Sequence, residues 1–129
     1  MNPLPPDTAV IVVDHGSRLD AANAMLLEIV QVYREITGSR VVEPAHMELA
    51  EPTLDEAAAR CVAQGATTIV VHPYFLAPGR HSTGDIPRMV AAVAPRFPGV
   101  RFAITEPLGI DPALAQVMHR RVVEALPPV

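Results

Sequence analysis

The chain has 129 residues, 50% of them hydrophobic and 19% charged, enough for one domain and too apolar for intrinsic disorder. Asp plus Glu is 14 against 10 for Lys plus Arg, a net charge of −4. Every one of those cations is an Arg and only 4% of residues are aromatic, so the chain has neither a basic tract nor a base-stacking platform and nucleic acid is excluded as a general partner.

Residues 1–7, MNPLPPD, have neither the basic start nor the apolar stretch of a signal peptide. They are expected to form a mobile tail on a single domain spanning residues 1–129. Residues 8–13 are apolar and β-branched and read as the first strand, leading into Asp14-His15-Gly16-Ser17-Arg18. Residues 20–37 follow, with Ala22, Met25, Leu26, Ile29, Tyr33 and Ile36 at helical spacing and Gly38 as a left-handed stop. The second strand, residues 40–47, contains Pro44, which suits an edge position because proline cannot donate to a sheet ladder. Thr53 and Glu56 form the S/T-x-x-E pattern of a capping box. The helix they open sets Leu54, Ala57, Ala58, Cys61 and Val62 on one side and stops near Gly65. Cys61 is therefore assigned to the core; alone it closes no intrachain disulfide, which fits a reducing, cytoplasmic setting.

Residues 67–71 read as a strand buried on both faces. A loop with two prolines and two glycines occupies 72–84. Asp85 is the expected N-cap of a third helix, with Pro87 in its first turn. Residues 100–105 make the fourth strand, and Asp111-Pro112 opens a last helix that runs to residue 126. No apolar run approaches the length of a membrane span, so no membrane partner is expected. Four strands alternating with four helices predict an α/β fold: a single doubly wound domain whose four-stranded parallel sheet is covered by helices on both faces.

In such sheets ligands bind beyond the carboxyl ends of the strands. Sorted by that rule, His15, His46, His72 and His81 converge on one rim with Asp14, Glu48, Glu106, Arg18 and Arg80. His119 falls on the last helix as solvated surface. Neutral imidazoles with a carboxylate suit a divalent transition metal and can leave coordination positions open. His15 and His81 are favoured because Gly16 and Gly79 lie close by and let backbone approach a ligand; His46 and His72 can instead serve as strand-end polar residues. No dinucleotide fingerprint, P-loop or nucleophile elbow is present.

Taken together, DHGSR (14–18), AHMELAEPTL (45–54), HPYFLAPGRHSTGDIP (72–87) and ITEPLG (104–109) resemble the short-form sirohydrochlorin chelatases of the CbiX/SirB type, members of the class II chelatases. The resemblance implies a chelatase-like fold equal to half of a two-lobed relative, and a homodimer. It implies insertion of a divalent metal, Co2+, Fe2+ or Ni2+, into sirohydrochlorin, in cobalamin, siroheme or related tetrapyrrole biosynthesis. The metal is a substrate, and no organic cofactor is implied. His15 and His81 match the family's metal-handling pair, and Glu48 matches the Glu of its ELAEP segment, so these three are the implied catalytic residues. Either imidazole can hold the metal or accept a proton. Arg18 and Arg80 would engage the ring's carboxylates, Ser17, Ser82 and the Gly79 backbone would add hydrogen bonds, and Tyr74, Phe75 and Leu76 would form an apolar wall. Asp14 and His46 depart from the family pattern, which has Gly and an aromatic residue there. Three rival readings stand beside the chelatase, one of them a flavodoxin-like binding module, which the absence of a phosphate-cradling loop disfavours. A non-enzymatic metal or tetrapyrrole carrier needs the same residues, whereas a histidine phosphatase needs an Arg where Asp14 would repel phosphate.

Overall fold

Strand and helix alternate along the chain: β1 (Thr8–Asp14), α1 (Asp20–Thr37), β2 (Val42–His46), α2 (Leu54–Ala63), β3 (Thr68–Pro73), α3 (Ile86–Val93), β4 (Arg101–Ile104) and α4 (Pro112–Glu124). The computed structural model describes residues 2–79 and 84–128. All pairings are parallel and the strand order is β2-β1-β3-β4, with Val10 beside Val42 on one flank and Val70 on the other. The expected α/β fold with a four-stranded parallel sheet is what forms. Pro44 does lie on an edge strand, where its missing N–H breaks no ladder. The chain steps one way from β1 to β2 and the other way from β2 to β3 to β4, so right-handed crossovers put α1 on one face and α2 with α3 on the other.

The two faces are filled unequally. On the first, Ala9, Ile11, Val13, Ile69 and Val71 meet Leu54, Ala57, Ala58 and Cys61 of α2 and Ile86, Val90 and Val93 of α3. Burial pushes the Cys61 thiol up to about 12, so it packs as a small apolar group. On the second face Val10, Val12 and Val42 form a smaller apolar cluster under Leu26 and Val30, with Ile29 and Tyr33 at the margin.

That inequality corrects two expectations. β3 is not buried on both faces: Ile69, Val71 and Pro73 are buried, whereas Val70 and His72 are only half-buried. The reason is that α1 lies over β2 and β1 and leaves β3 without a helix on that side. The apolar stripe of α1 is likewise wider than the part it buries, and Met25 and Ile36 stay exposed.

The helix ends follow local chemistry. Gly38 adopts φ 70 and its N–H donates to the Arg34 carbonyl, closing α1. Thr53 and Glu56 make both hydrogen bonds of the capping box. Asp111 accepts from the Ala113 N–H at 2.8 Å and caps α4. Asp85 departs from expectation. It stands before α3 in helical backbone and makes no cap hydrogen bond, its carboxylate being turned to Arg88. Within the N-terminal segment, the Asp7 carboxylate accepts the Thr67 hydroxyl at 2.6 Å, which holds its carboxyl below the ordinary value. No described helix is long and apolar enough to cross a membrane.

Candidate functional site

β1 and β2 keep pairing beyond their last residues. The Met47 N–H donates to the Asp14 carbonyl at 2.9 Å and the Glu48 N–H to the His15 carbonyl at 3.3 Å. This brings His15 and Glu48 together at the carboxyl rim, with His15 Nε2 3.3 Å from Glu48 Oε1 and both side chains open to solvent. Gly16 makes that approach possible. Its φ is 92, and a Cβ there would stand 1.9 Å from the Glu48 carbonyl oxygen.

Asp14 and His46 are partners across the same register, and Asp14 Oδ1 lies 2.6 Å from His46 Nδ1. His46 is 2% exposed, so this pair sits beneath the rim as a buried, hydrogen-bonded unit rather than as an open ligand. The acceptor carboxylate fixes the proton on Nδ1. The next turn is pinned to α1: the Ser17 N–H donates to Asn23 Oδ1 at 3.0 Å and Asn23 Nδ2 donates to the Ser17 carbonyl at 2.7 Å. The Ser17 hydroxyl accepts from the Leu19 N–H at 3.0 Å, which gives it a structural role in the turn before α1. Arg18 lines a shallow depression of about 430 Å³ with Asp20, His46 and Glu51.

His72 does not join the rim. It pairs in register with Val12 and lines the α1 side of the sheet with Tyr74, so the expected convergence of four imidazoles is corrected: among the described residues His15 is open at the rim and His46 is buried beneath it. The physical reason is strand alternation: His72 falls on the face shared by Val70 and Val12, within β3 rather than beyond it. His72 Nδ1 donates to Thr105 Oγ1 at 2.7 Å, the Thr105 hydroxyl donates to the Glu106 carbonyl, and burial holds the imidazole below its ordinary pKa. Tyr74 is likewise turned away from His15 and belongs to that groove. Phe75 packs against the main core, and Leu76 is exposed.

Arg80, His81 and Ser82 lie outside the described residues. Among the described residues no three His, Cys, Asp or Glu side chains gather as a metal site. Two contributors were missed in the sequence. Asn23 ties the turn after β1 to α1, and Arg88 lines a depression of about 390 Å³ with Glu48, Met47 and Asp85. The i, i+3 spacing of Asp85 and Arg88 after a glycine-rich loop was the available signal for the second.

Residues 9–125 match the model of the CbiX family. The chain belongs to the CbiX family. It is 49% identical over 117 residues to the chloroplastic sirohydrochlorin ferrochelatase of Arabidopsis thaliana, covering 91% of this chain and 52% of that protein. It is 33% identical over 138 residues to the sirohydrochlorin cobaltochelatase of Methanopyrus kandleri, covering 92% of this chain and 96% of that one. The solved sirohydrochlorin chelatase SirB of Bacillus subtilis subspecies spizizenii, in complex with cobalt, superposes with a TM-score of 0.86 at 32% identity, over 92% of this chain and 51% of SirB. This CbiX-family chain thus spans about half the length of the Arabidopsis and Bacillus proteins it matches and almost all of the Methanopyrus one. The resemblance read from the four motifs and the fold it implied are both borne out.

Proposed function

We propose that this CbiX-family chain is a homodimeric chelatase that inserts a divalent metal, Co2+, Fe2+ or Ni2+, into sirohydrochlorin. The observation that carries the reading is the solvent-open His15–Glu48 pair, 3.3 Å apart at the carboxyl rim of a CbiX-type sheet. The names of the Arabidopsis and Methanopyrus relatives support the substrate, and iron in one name and cobalt in the other leave the metal to be measured. The nearly complete match to the Methanopyrus protein supports a chain of this length acting as a unit.

Insertion exchanges one doubly charged ion for the two pyrrolic N–H protons, so the ring gains the metal and two protons must leave. A neutral imidazole can hold the incoming ion or take the first proton, and the carboxylate beside it can offset the ion's charge or pass the proton to water. His15 and Glu48 are assigned these roles. His81 is assigned the second imidazole by its match to the family pair. Arg18, Arg80 and Arg88 are the cations available for ring carboxylates, with Ser82 and the Gly79 backbone as donors and Phe75 and Leu76 as apolar surface. No organic cofactor enters this scheme.

The test mixes the protein with sirohydrochlorin and each metal in turn and follows the visible absorption of the ring. Acceleration over the uncatalysed rate is expected, falling by about 10²–10⁴-fold in His15→Ala and His81→Ala and less in Glu48→Gln. Tight ring binding without acceleration would replace the chelatase by a carrier.

A further inference from the structure

Among the described residues two apolar surfaces are left largely open. The first is α4. Leu114, Val117, Met118 and Val122 recur at helical spacing along it, yet the helix buries none of its residues. Met118 is 69% exposed and Val122 57%. No described strand or helix packs broadly against it.

The second is the groove beside α1, a cavity of about 660 Å³ over β3 and the edge of the sheet. Val70, Ile29, Val32 and Ile36 line it, together with Tyr33 and Leu108. Val32 is 43% exposed and Ile36 60%. Of the polar groups that line it, His72 and Thr105 already pair with one another. In an α/β layer this is where a second helix belongs.

α4 cannot simply be counted as that helix. The residues before it are held to the segment after β3, with the Leu108 N–H donating to the Phe75 carbonyl at 2.9 Å and the Gly109 N–H to the Leu76 carbonyl at 2.7 Å. Ile110 is fully exposed and Asp111 is extended, with φ −145 and ψ 136, so the chain leaves the sheet before the helix begins.

We propose that two copies of this chain exchange their C-terminal helices, α4 of each lying in the α1-side groove of the other. The proposal rests on the homodimer reading above and adds the surface that makes the dimer. A second copy is the one occupant certain to carry the matching helix, and a two-fold exchange covers both helices and both grooves at once, leaving no sticky end for a third chain. Charge agrees. α4 carries Arg120 beside the paired Arg121 and Glu124, whereas α1 carries Asp20, Glu28 and Glu35 and its Arg34 is occupied by Glu43.

Light scattering on the full chain should give twice the 13.8 kDa chain mass at micromolar concentration. A photo-cross-linking residue at position 122 of an unlabelled chain, co-refolded with a 15N-labelled chain, should join light peptides from α4 to heavy peptides containing residues 29–36. Val122→Glu and Ile36→Glu, on opposite sides of the contact, should each raise the dimer dissociation constant at least about 30-fold with far-UV circular dichroism unchanged, and Val122→Leu should not. A monomer at that concentration, or cross-links that stay within one chain or miss the groove, would overturn the exchange. Metal insertion is assayed on the same samples: an active chain without exchange keeps the chelatase and removes the exchange, and exchange without activity does the reverse.

Discussion

Gly16 and Gly79 stand near the two imidazoles singled out in the sequence, and they do different things. At Gly16 the backbone is in the left-handed region and the Glu48 carbonyl fills the space of a side chain. Gly16→Ala must therefore separate the strand ends that hold His15 against Glu48, and a loss of about 1–3 kcal/mol in urea denaturation is expected. Gly79 needs neither positive φ nor close approach to a described atom, so Gly79→Ala should change stability by less than about 0.5 kcal/mol. His72 makes a prediction in pH. Burial lowers its folded pKa below the ordinary 6.5, so the unfolded chain takes the proton first as pH falls. The stability it contributes is present above 6.5 and lost as pH drops through that value toward the lower folded pKa. His72→Asn, which keeps a donor for Thr105, should flatten the urea midpoint between pH 7 and 5 relative to the parent chain.

Among the elements, α2 and α3 show how a shared sequence signal can have two outcomes. Thr53 caps α2 through its own hydroxyl and receives Glu56 in return, so Thr53→Ala should cost about 1 kcal/mol. Hydrogen bonds from the Thr53 backbone and hydroxyl hold the Glu56 carboxyl below its ordinary 4.5, so its share is present above that pH and fades below it. Asp85 looks like a cap but makes no cap hydrogen bond and pairs with Arg88, an i, i+3 contact that contributes about 0.3–0.5 kcal/mol, so Asp85→Ala loses no cap. Chemical denaturation of the two variants separates the cases.

For the whole molecule, the inequality of the two sheet faces governs what a core substitution does. Ile11 is fully enclosed between the sheet and α2, so Ile11→Ala should cost about 2–5 kcal/mol. Val12, one residue on, points to the α1 face and lines the open groove. Val12→Ala removes fewer atoms from a site that is already open on one side, and a smaller loss is expected. Thermal or urea unfolding of the pair measures the difference. The rim at the strand ends is served by both faces: α1 anchors the turn carrying Ser17, and α3 brings Arg88 beside Glu48.

Local signals carried much of this. The β-branched run of the first strand, the stop at Gly38, the capping box at Thr53 and Pro44 on an edge strand were all legible, because each depends on residue type or on neighbours within a turn. The family motifs marked His15, Gly16 and Glu48, and the fold brings those three together. What only the tertiary structure decided was which face each polar side chain meets and what lies opposite. Asp14 reaches His46 across 32 residues of chain, and His72 turns into the groove by its register with Val12. The last helix forms where its sequence says it should, yet none of its residues is buried. Helix formation is settled over a few residues of hydrogen bonding, whereas burial needs a surface on the other side, and that surface comes from distant segments of chain.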